Sequence, residues 1–200
     1  KIKYFGSFWG MSKLKKFDLG NNPTLECVFL KNVDVEDDTI FENLNEINVS
    51  KCKNLRVIDI EQAGEKFTEL DLSSNDKLNS LGLEGLRGLK QLKMPETDNL
   101  KEIVVKETAL ESLALEKYTK LDKVCVGGNQ FDILKINMEQ KTEKDIENMY
   151  LLFDNNLKVE FISSKSGIVP NIKRLDNHNL WAGIVFSNYV VTDYEIPECW

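Results

Sequence analysis

Leucine and similar apolar residues recur along this chain in one short frame. The stretch "LDLSSNDKLNSLGL" (Leu70–Leu83) contains the frame twice, eleven residues apart. Written out, the frame is L-x-x-L-x-L-x-x-N, and from Leu44 it recurs at steps of 11, 12, 11, 11, 11, 10, 11 and 10 residues. The alternation inside L-x-L predicts a β-strand with two inward side chains, and Asn at the ninth position can bond backbone groups where the chain bends. The frame opens at Leu14, Leu25, Leu44, Leu55, Phe67, Leu78, Leu89, Leu100, Leu110, Leu121 and Phe131.

This frame resembles the leucine-rich repeat, L-x-x-L-x-L-x-x-N/C-x-L, over residues 14–136. That family has a period of about 20–29 residues, so a step near eleven matches half a turn. The chain is most similar to the bacterial subtype that carries the frame in both halves of each 21–23-residue turn, as in internalin-like surface proteins. The resemblance implies a repeat solenoid: a leucine-rich repeat with parallel β-strands on two faces, few helices and capping segments.

Alternate frames are therefore expected to build strands on two faces, with successive strands about 4.8 Å apart. Face A takes the predicted strands Phe17–Leu19, Ile47–Val49, Leu70–Leu72, Leu92–Met94, Leu113–Leu115 and Leu134–Ile136. Face B takes the predicted strands Val28–Leu30, Ile58–Ile60, Leu81–Leu83, Ile103–Val105 and Val124–Val126.

The two ends of the repeat region predict capping segments, because a solenoid otherwise exposes apolar edges. Residues 1–13, which include the aromatic run "YFGSFWGM", are expected to form an N-terminal cap, and residues 14–136 the solenoid. Residues 137–200 are expected to form a C-terminal cap or a small β-rich unit with one helix. The spacing in "TEKDIENMYLLF" predicts that helix over Thr142–Phe153, with Thr142 and Asp145 at its start. An insertion at Val33–Asn43 is predicted to contain a short helical turn.

Charge and composition narrow the possible partners. The net charge is −7 at pH 7, which argues against nucleic acid, because nucleic-acid binding requires a basic face. No apolar run has the length of a membrane span, so membrane insertion is not expected. The resemblance to bacterial surface proteins implies an extracellular or cell-surface location.

Few residues suggest catalysis or a bound cofactor, and no cofactor or metal is expected. The single histidine, His178, lies in the polar run "RLDNHNL", and an exposed loop is its simplest interpretation. The acidic run Asp34–Asp38 lacks the spacing of a calcium loop, so a solvated insertion is preferred to a calcium site. The long, irregular cysteine spacings predict no zinc site, and Cys27 and Cys125 are expected to lie too far apart for a disulfide.

Two surfaces are candidates for partner binding. On face A, outward charged and polar residues cluster in the middle of the stack and form the candidate partner surface: Glu69, Asp71, Lys90, Gln91 and Lys93. On face B, an apolar strip is the alternative surface: Phe29, Val57 and Val104. Neither face carries a ladder of outward aromatic rings, so a protein partner is favoured over a glycan.

Two functions of different classes follow. The preferred one is a non-catalytic protein-interaction module, exported and surface-associated, in adhesion or host contact, whose partner is unidentified. The alternative is an enzyme or enzyme subunit with its site in residues 137–200, which would draw on Asp176, His178 and Glu195. A pocket around His178 would favour the enzyme.

Overall fold

The repeated strands stack as a parallel β-solenoid of about seven turns in the computed structural model, which describes residues 2–7, 11–31, 41–163 and 170–175. The strands of the described residues are β1 (Tyr4–Ser7), β2 (Lys16–Asp18), β3 (Cys27–Leu30), β4 (Glu46–Asn48), β5 (Val57–Glu61), β6 (Glu69–Asp71), β7 (Ser80–Glu84), β8 (Gln91–Lys93), β9 (Glu102–Lys106), β10 (Lys123–Gly127), β11 (Ile133–Asn137), β12 (Tyr150–Asp154), β13 (Lys158–Ile162) and β14 (Ile172–Leu175). The helix of the same residues is α1 (Glu143–Asn148).

All strand pairs are parallel, and they fall into one large and three small sheets. The large sheet has the order β1-β3-β5-β7-β9-β10-β12-β14. The small sheets are the pairs β2-β4, β6-β8 and β11-β13. The strands predicted for face B all lie in the large sheet, and those predicted for face A lie in the small ones, with one exception described below. That the two sets form opposite faces stays a prediction.

The inward positions of the frame build one continuous core. Leu81 and Leu83 of β7 are 1% and 0% exposed, and the opening residues of the frames from Leu25 onward are buried with them. Each strand contributes only two or three inward side chains, so no turn has a core of its own. Stability must therefore come from contacts between neighbouring turns, as expected for a solenoid.

The ninth position of the frame joins successive turns, as the sequence predicted. Asn75 is fully buried, and its amide donates to the backbone oxygens of Val49 (3.0 Å) and Cys52 (3.1 Å) in the preceding turn. Cys52 occupies the same position one turn earlier, and its thiol donates to the oxygen of Leu19 at 3.1 Å. Each of these carbonyl oxygens also accepts a backbone N–H within its own turn, so the side-chain bonds add a direct link between successive turns.

Four neighbouring strands of the large sheet end in a shared backbone conformation. The residue after β5, β7, β9 and β10 has a positive φ in every case, at Gln62 (54°), Gly85 (69°), Glu107 (50°) and Gly128 (66°). Glycine adopts this left-handed region without steric cost, which explains two of the four residues. The repeated turn therefore depends on the fold itself where the chain supplies Gln or Glu.

One predicted strand is absent. Residues 113–115 follow the frame, and Leu113 and Leu115 are buried, yet they form no strand. The ninth position of this frame holds Tyr118 in place of Asn. Its ring is fully buried and its hydroxyl donates to the oxygen of Pro95 at 2.7 Å. We attribute the loss of pairing to this ring, which is larger than the Asn side chain that closes the neighbouring turn.

The predicted helix over Thr142–Phe153 is only half right. The Thr142–Asp145 capping box is present, and Ile146 is buried as predicted, but α1 ends at Asn148. Tyr150–Asp154 then form β12, which pairs with β10. The apolar run of β12 fits a helix stripe and a buried strand equally well, and pairing with an available strand edge decides in favour of the strand.

Both ends of the repeat region carry strands that pair with it. At the start, β1 pairs with β3. Beyond residue 136, β12 and β14 extend the large sheet and β13 pairs with β11. The division into residues 1–13, 14–136 and 137–200 stays a prediction. The predicted helical turn in Val33–Asn43 lies almost wholly outside the described residues.

A change of Thr142 to Ala should test the cap of α1. The Thr142 hydroxyl accepts from the backbone N–H of Asp145 at 3.1 Å, so Thr142→Ala is expected to lower the free energy of unfolding by about 0.5–2 kcal/mol. Chemical denaturation of full-length protein measures this loss. Thr142→Ser is the control and should lose little; equal losses in the two variants would contradict a capping role for the hydroxyl.

Candidate functional site

The candidate partner surface lies on the paired strands β6 and β8. Glu69 is in register with Gln91, and Asp71 with Lys93. The intervening Leu70 points inward and is 1% exposed, so the charged residues beside it point outward. Parallel pairing holds these four side chains on one surface, as the frame predicted.

The charges of this surface bind one another. The Lys93 ammonium lies 2.6 Å from a Glu69 carboxylate oxygen and 3.3 Å from one of Asp71. Hydrogen bonds to Glu69 and Asp71 raise the pKa of Lys93. Bonds from the Ser73 hydroxyl and backbone N–H, with Lys93 contributing, lower the pKa of Asp71. Both shifts favour the charged forms of Asp71 and Lys93 at neutral pH.

Lys90 and Gln91 border an opening beyond β8. Both side chains are exposed. A groove of about 940 Å³ lies between β8 and the unpaired segment that contains residues 109–114. The sequence predicted the two residues at outward positions of face A, next to a further strand at residues 113–115. Because that strand is absent, Lys90 and Gln91 border a groove.

The alternative apolar surface lies on the large sheet and is narrower than the sequence suggested. Val57 is fully buried, whereas Phe29 and Val104 are half-buried. In the register of the sheet, Phe29 is aligned with Asp59, and Asp59 with Gly82, which is followed by Val104. A carboxylate therefore interrupts the row between Phe29 and Val104. Whether either surface binds a partner stays a prediction.

Sequence reasoning missed a buried ionic cluster at that interruption. The Lys31 ammonium lies 2.6 Å from Asp59 and 2.8 Å from Glu61, and the side chains of Lys31 and Asp59 are 13% and 7% exposed. The Asp59 carboxylate lies over Gly82, where an added Cβ would stand 2.4 Å from its oxygen. The signal was available: Asp59 stands between Ile58 and Ile60, at an outward position of an otherwise apolar strand.

Burial and ion pairing act in opposite directions on the pKa values of this cluster. Desolvation raises the pKa values of Asp59 and Glu61, although Lys31 acts in the opposite direction. Burial lowers the pKa of Lys31, but the two carboxylates together outweigh it and the net shift is upward. The Lys31 ammonium therefore compensates the negative charges of two carboxylates that lie close together in a largely buried site.

Two buried cysteines lie on the same sheet and are held as thiols. Burial raises the pKa of Cys27 to about 11 and that of Cys125 to about 12. Neither thiol ionises near neutral pH, which disfavours a nucleophilic role, since the thiolate is the reactive form. Both are free cysteines, as expected from their separation along the stack.

Several predicted residues lie outside the described part of the chain. These are the residues of the alternative enzyme site, Asp176, His178 and Glu195, and the acidic run Asp34–Asp38. Within the described residues, no group of three or more His, Cys, Asp or Glu side chains could hold a metal ion. In that same part of the chain, no helix has the length and apolar character required to cross a membrane.

Fold and geometry together define the class of protein as a parallel β-solenoid of about seven turns, with one short helix among the described residues. Comparison with family models gives no match, and comparison with curated proteins gives no match either.

Proposed function

We propose that the chain is a non-catalytic protein-interaction module, built as a leucine-rich repeat of the bacterial type and displayed at the cell surface. The supporting observations for the repeat type are the eleven-residue frame and the inter-turn bonds made by Asn75 and Cys52. The surface location rests on the resemblance alone. Parallel sheets of this kind present ordered side chains over a broad surface, which suits recognition of another protein.

The observation that carries the proposal is the cluster of Glu69, Asp71 and Lys93. Their side chains are 47%, 47% and 54% exposed, and each is fixed by an ion pair across two hydrogen-bonded strands. Side chains that are already ordered lose little freedom when a partner binds. A fixed pattern of both charges also selects a complementary pattern on the partner and sets its register.

The test has two steps: identification of a partner with the full chain as bait, and measurement of the partner's affinity. Candidate proteins are captured by affinity purification and their affinity is then measured with purified components. The double change Glu69→Lys, Lys93→Glu keeps opposite charges at the two positions but reverses their order. We expect at least a tenfold loss of affinity, together with a weaker dependence of affinity on salt, because exposed charges are screened.

The control for this test is Val104→Asp, which alters the alternative apolar surface on the large sheet. It should leave the affinity unchanged, and thermal unfolding should show that both variants are folded. Binding that survives high salt and the double charge exchange, but fails with Val104→Asp, would refute the charged surface in favour of Phe29 and Val104.

A further inference from the structure

The loss of the strand at residues 113–115 leaves β8 with one free edge. Among the described residues, β8 pairs with β6 and with no second strand. On the other side lies the groove of about 940 Å³. The far wall of the groove is formed by residues 109–114, whose frame would normally have supplied the next strand.

The backbone of Leu92 points into this groove. Gln91 donates its N–H to the oxygen of Thr68 at 3.1 Å, and the oxygen of Lys93 accepts from the N–H of Leu72 at 2.8 Å. In a parallel ladder, alternate residues bond the same neighbour, so Gln91 and Lys93 face β6. The N–H and C=O of Leu92, between them, therefore face the open side.

Core-facing side chains are exposed at the same place. Leu92 and Met94 occupy inward positions of the frame, yet both are half-buried. Their equivalents one turn earlier, Leu70 and Leu72, are 1% and 0% exposed. Across the groove, Leu113 is 7% exposed. The hydrophobic core thus opens to the surface between β8 and the segment around Leu113.

The two walls of the groove carry opposite charges that are not neutralised within the described residues. Lys90 stands on the β8 wall and Glu111 on the other, both exposed, and neither makes an ion pair in the described part of the chain. Lys93 is already held by Glu69 and Asp71. An occupant that satisfied both walls would need an acidic group near Lys90 and a basic group near Glu111.

We propose that this groove binds an extended segment of a partner protein, which adds to β8 as a further parallel or antiparallel strand. The segment alternates apolar and polar residues: an apolar side chain enters between Leu92 and Leu113, and the polar side carries one acidic and one basic residue. An added strand supplies hydrogen-bond partners for the N–H and C=O of Leu92, which have none among the described residues. This inference rests on the proposed function, because it names the kind of partner that the interaction module takes.

The experiment uses random twelve-residue peptides displayed on phage, selected against the full chain. Enriched peptides are synthesised, and their affinity is measured by fluorescence polarisation. We expect peptides with alternating apolar and polar residues that contain both an acid and a base. Their binding should slow amide hydrogen exchange at Leu92 at least tenfold, whereas Gln91 and Lys93, already bonded to β6, should change little.

Two variants separate the backbone contact from the side-chain contact. Leu92→Ala removes the leucine side chain and keeps its N–H; Leu92→Pro also removes the N–H, at an edge position where proline leaves the bonds to β6 in place. Peptide affinity should fall at least tenfold further in Leu92→Pro than in Leu92→Ala. If Leu92→Pro fails to fold, the amide exchange rate of Leu92 in the wild type still shows whether the peptide bonds the Leu92 backbone.

The outcomes distinguish this inference from the proposed function. Peptides that bind without slowing exchange at Leu92 would overturn the groove and leave the interaction module standing. A selection that yields no binding peptide would also overturn the groove, and the charged-surface experiment would still decide the proposed function. Slowed exchange at Leu92, with the stated difference between the two variants, supports strand addition.

Discussion

Replacing Lys31 with Met is expected to lower the free energy of unfolding by about 3–5 kcal/mol, because it removes the cation from a buried pair and leaves a charge uncompensated. Asp59 is 5% exposed, and its carboxylate would lose its contact at 2.6 Å. Glu61 would lose its partner at 2.8 Å. Urea denaturation of the full chain, with wild type and variant at the same pH, measures the difference.

The pH dependence of this loss gives an independent check. Desolvation already raises the folded-state pKa of Asp59 above its ordinary value of 3.8, and removal of Lys31 should raise it further. Because Asp59 then binds its proton more tightly in the folded state than in the unfolded state, protonation of Asp59 stabilises the folded variant. The deficit of Lys31→Met relative to wild type should therefore be largest above the raised pKa and should shrink as the pH falls toward about 3.8.

A double-mutant cycle separates the ion pair from its surroundings. Asp59→Asn keeps the shape of the side chain and removes the charge, so Lys31→Met should cost much less in that background. A coupling free energy above about 1 kcal/mol is expected for groups in direct contact. Full additivity of the two changes, with a deficit that does not depend on pH, would show that Lys31 acts only through packing.

The strands were predictable because the frame fixes local structure and packing at the same time. Leu81 and Leu83 alternate with period two, recur after one half-turn, and are buried against their neighbours. A structure can be predicted from its sequence where the local pattern and the global packing favour the same arrangement. The same agreement placed Asn75 and Cys52 at the inter-turn bonds.

The failures occur where two principles compete. Residues 113–115 satisfy the frame, but the bulk of Tyr118 at the ninth position is a packing property that the L-x-L pattern does not contain. Tyr150 and Phe153 fit a helical stripe, but the open edge of β10 offers hydrogen bonds that only a strand can use. The pattern of residues within one segment does not show which other segment of the chain it will pair with or pack against.

The candidate site was predictable in its location but not in its electrostatics. The frame placed Glu69, Asp71 and Lys93 on one surface. Their mutual ion pairs depend on side-chain reach across two strands, which the sequence leaves open. The groove beside them was not predictable, since it arises from a missing strand. Its prediction would have required recognising that an aromatic ring had replaced the small polar residue of the ninth position.

The largest effect is expected from Asn75→Asp. This change keeps the size of the side chain but replaces the amide donor with a carboxylate, which can only accept hydrogen bonds. The Asn75 amide donates to two backbone oxygens, at 3.0 and 3.1 Å, in a position with no solvent exposure. An ionised carboxylate has no donor for those oxygens and would be buried without a cation. We expect a loss of about 4 kcal/mol or more in the free energy of unfolding at neutral pH.

Two controls make this last prediction specific to a buried charge. Asn75→Ala removes both bonds without adding charge and should cost about 2 kcal/mol. Asn99→Asp makes the same chemical change at an exposed residue whose amide bonds the oxygen of Asp76, and it should cost little.

The pKa of the carboxyl introduced at position 75 should be raised in the folded state. Its deficit relative to wild type should therefore shrink as the pH falls, because the protonated form can donate to one of the two oxygens. Equal, pH-independent losses in Asn75→Asp and Asn75→Ala would show that the carboxyl at position 75 adds no buried-charge penalty to the loss of the two amide bonds, and would contradict this prediction.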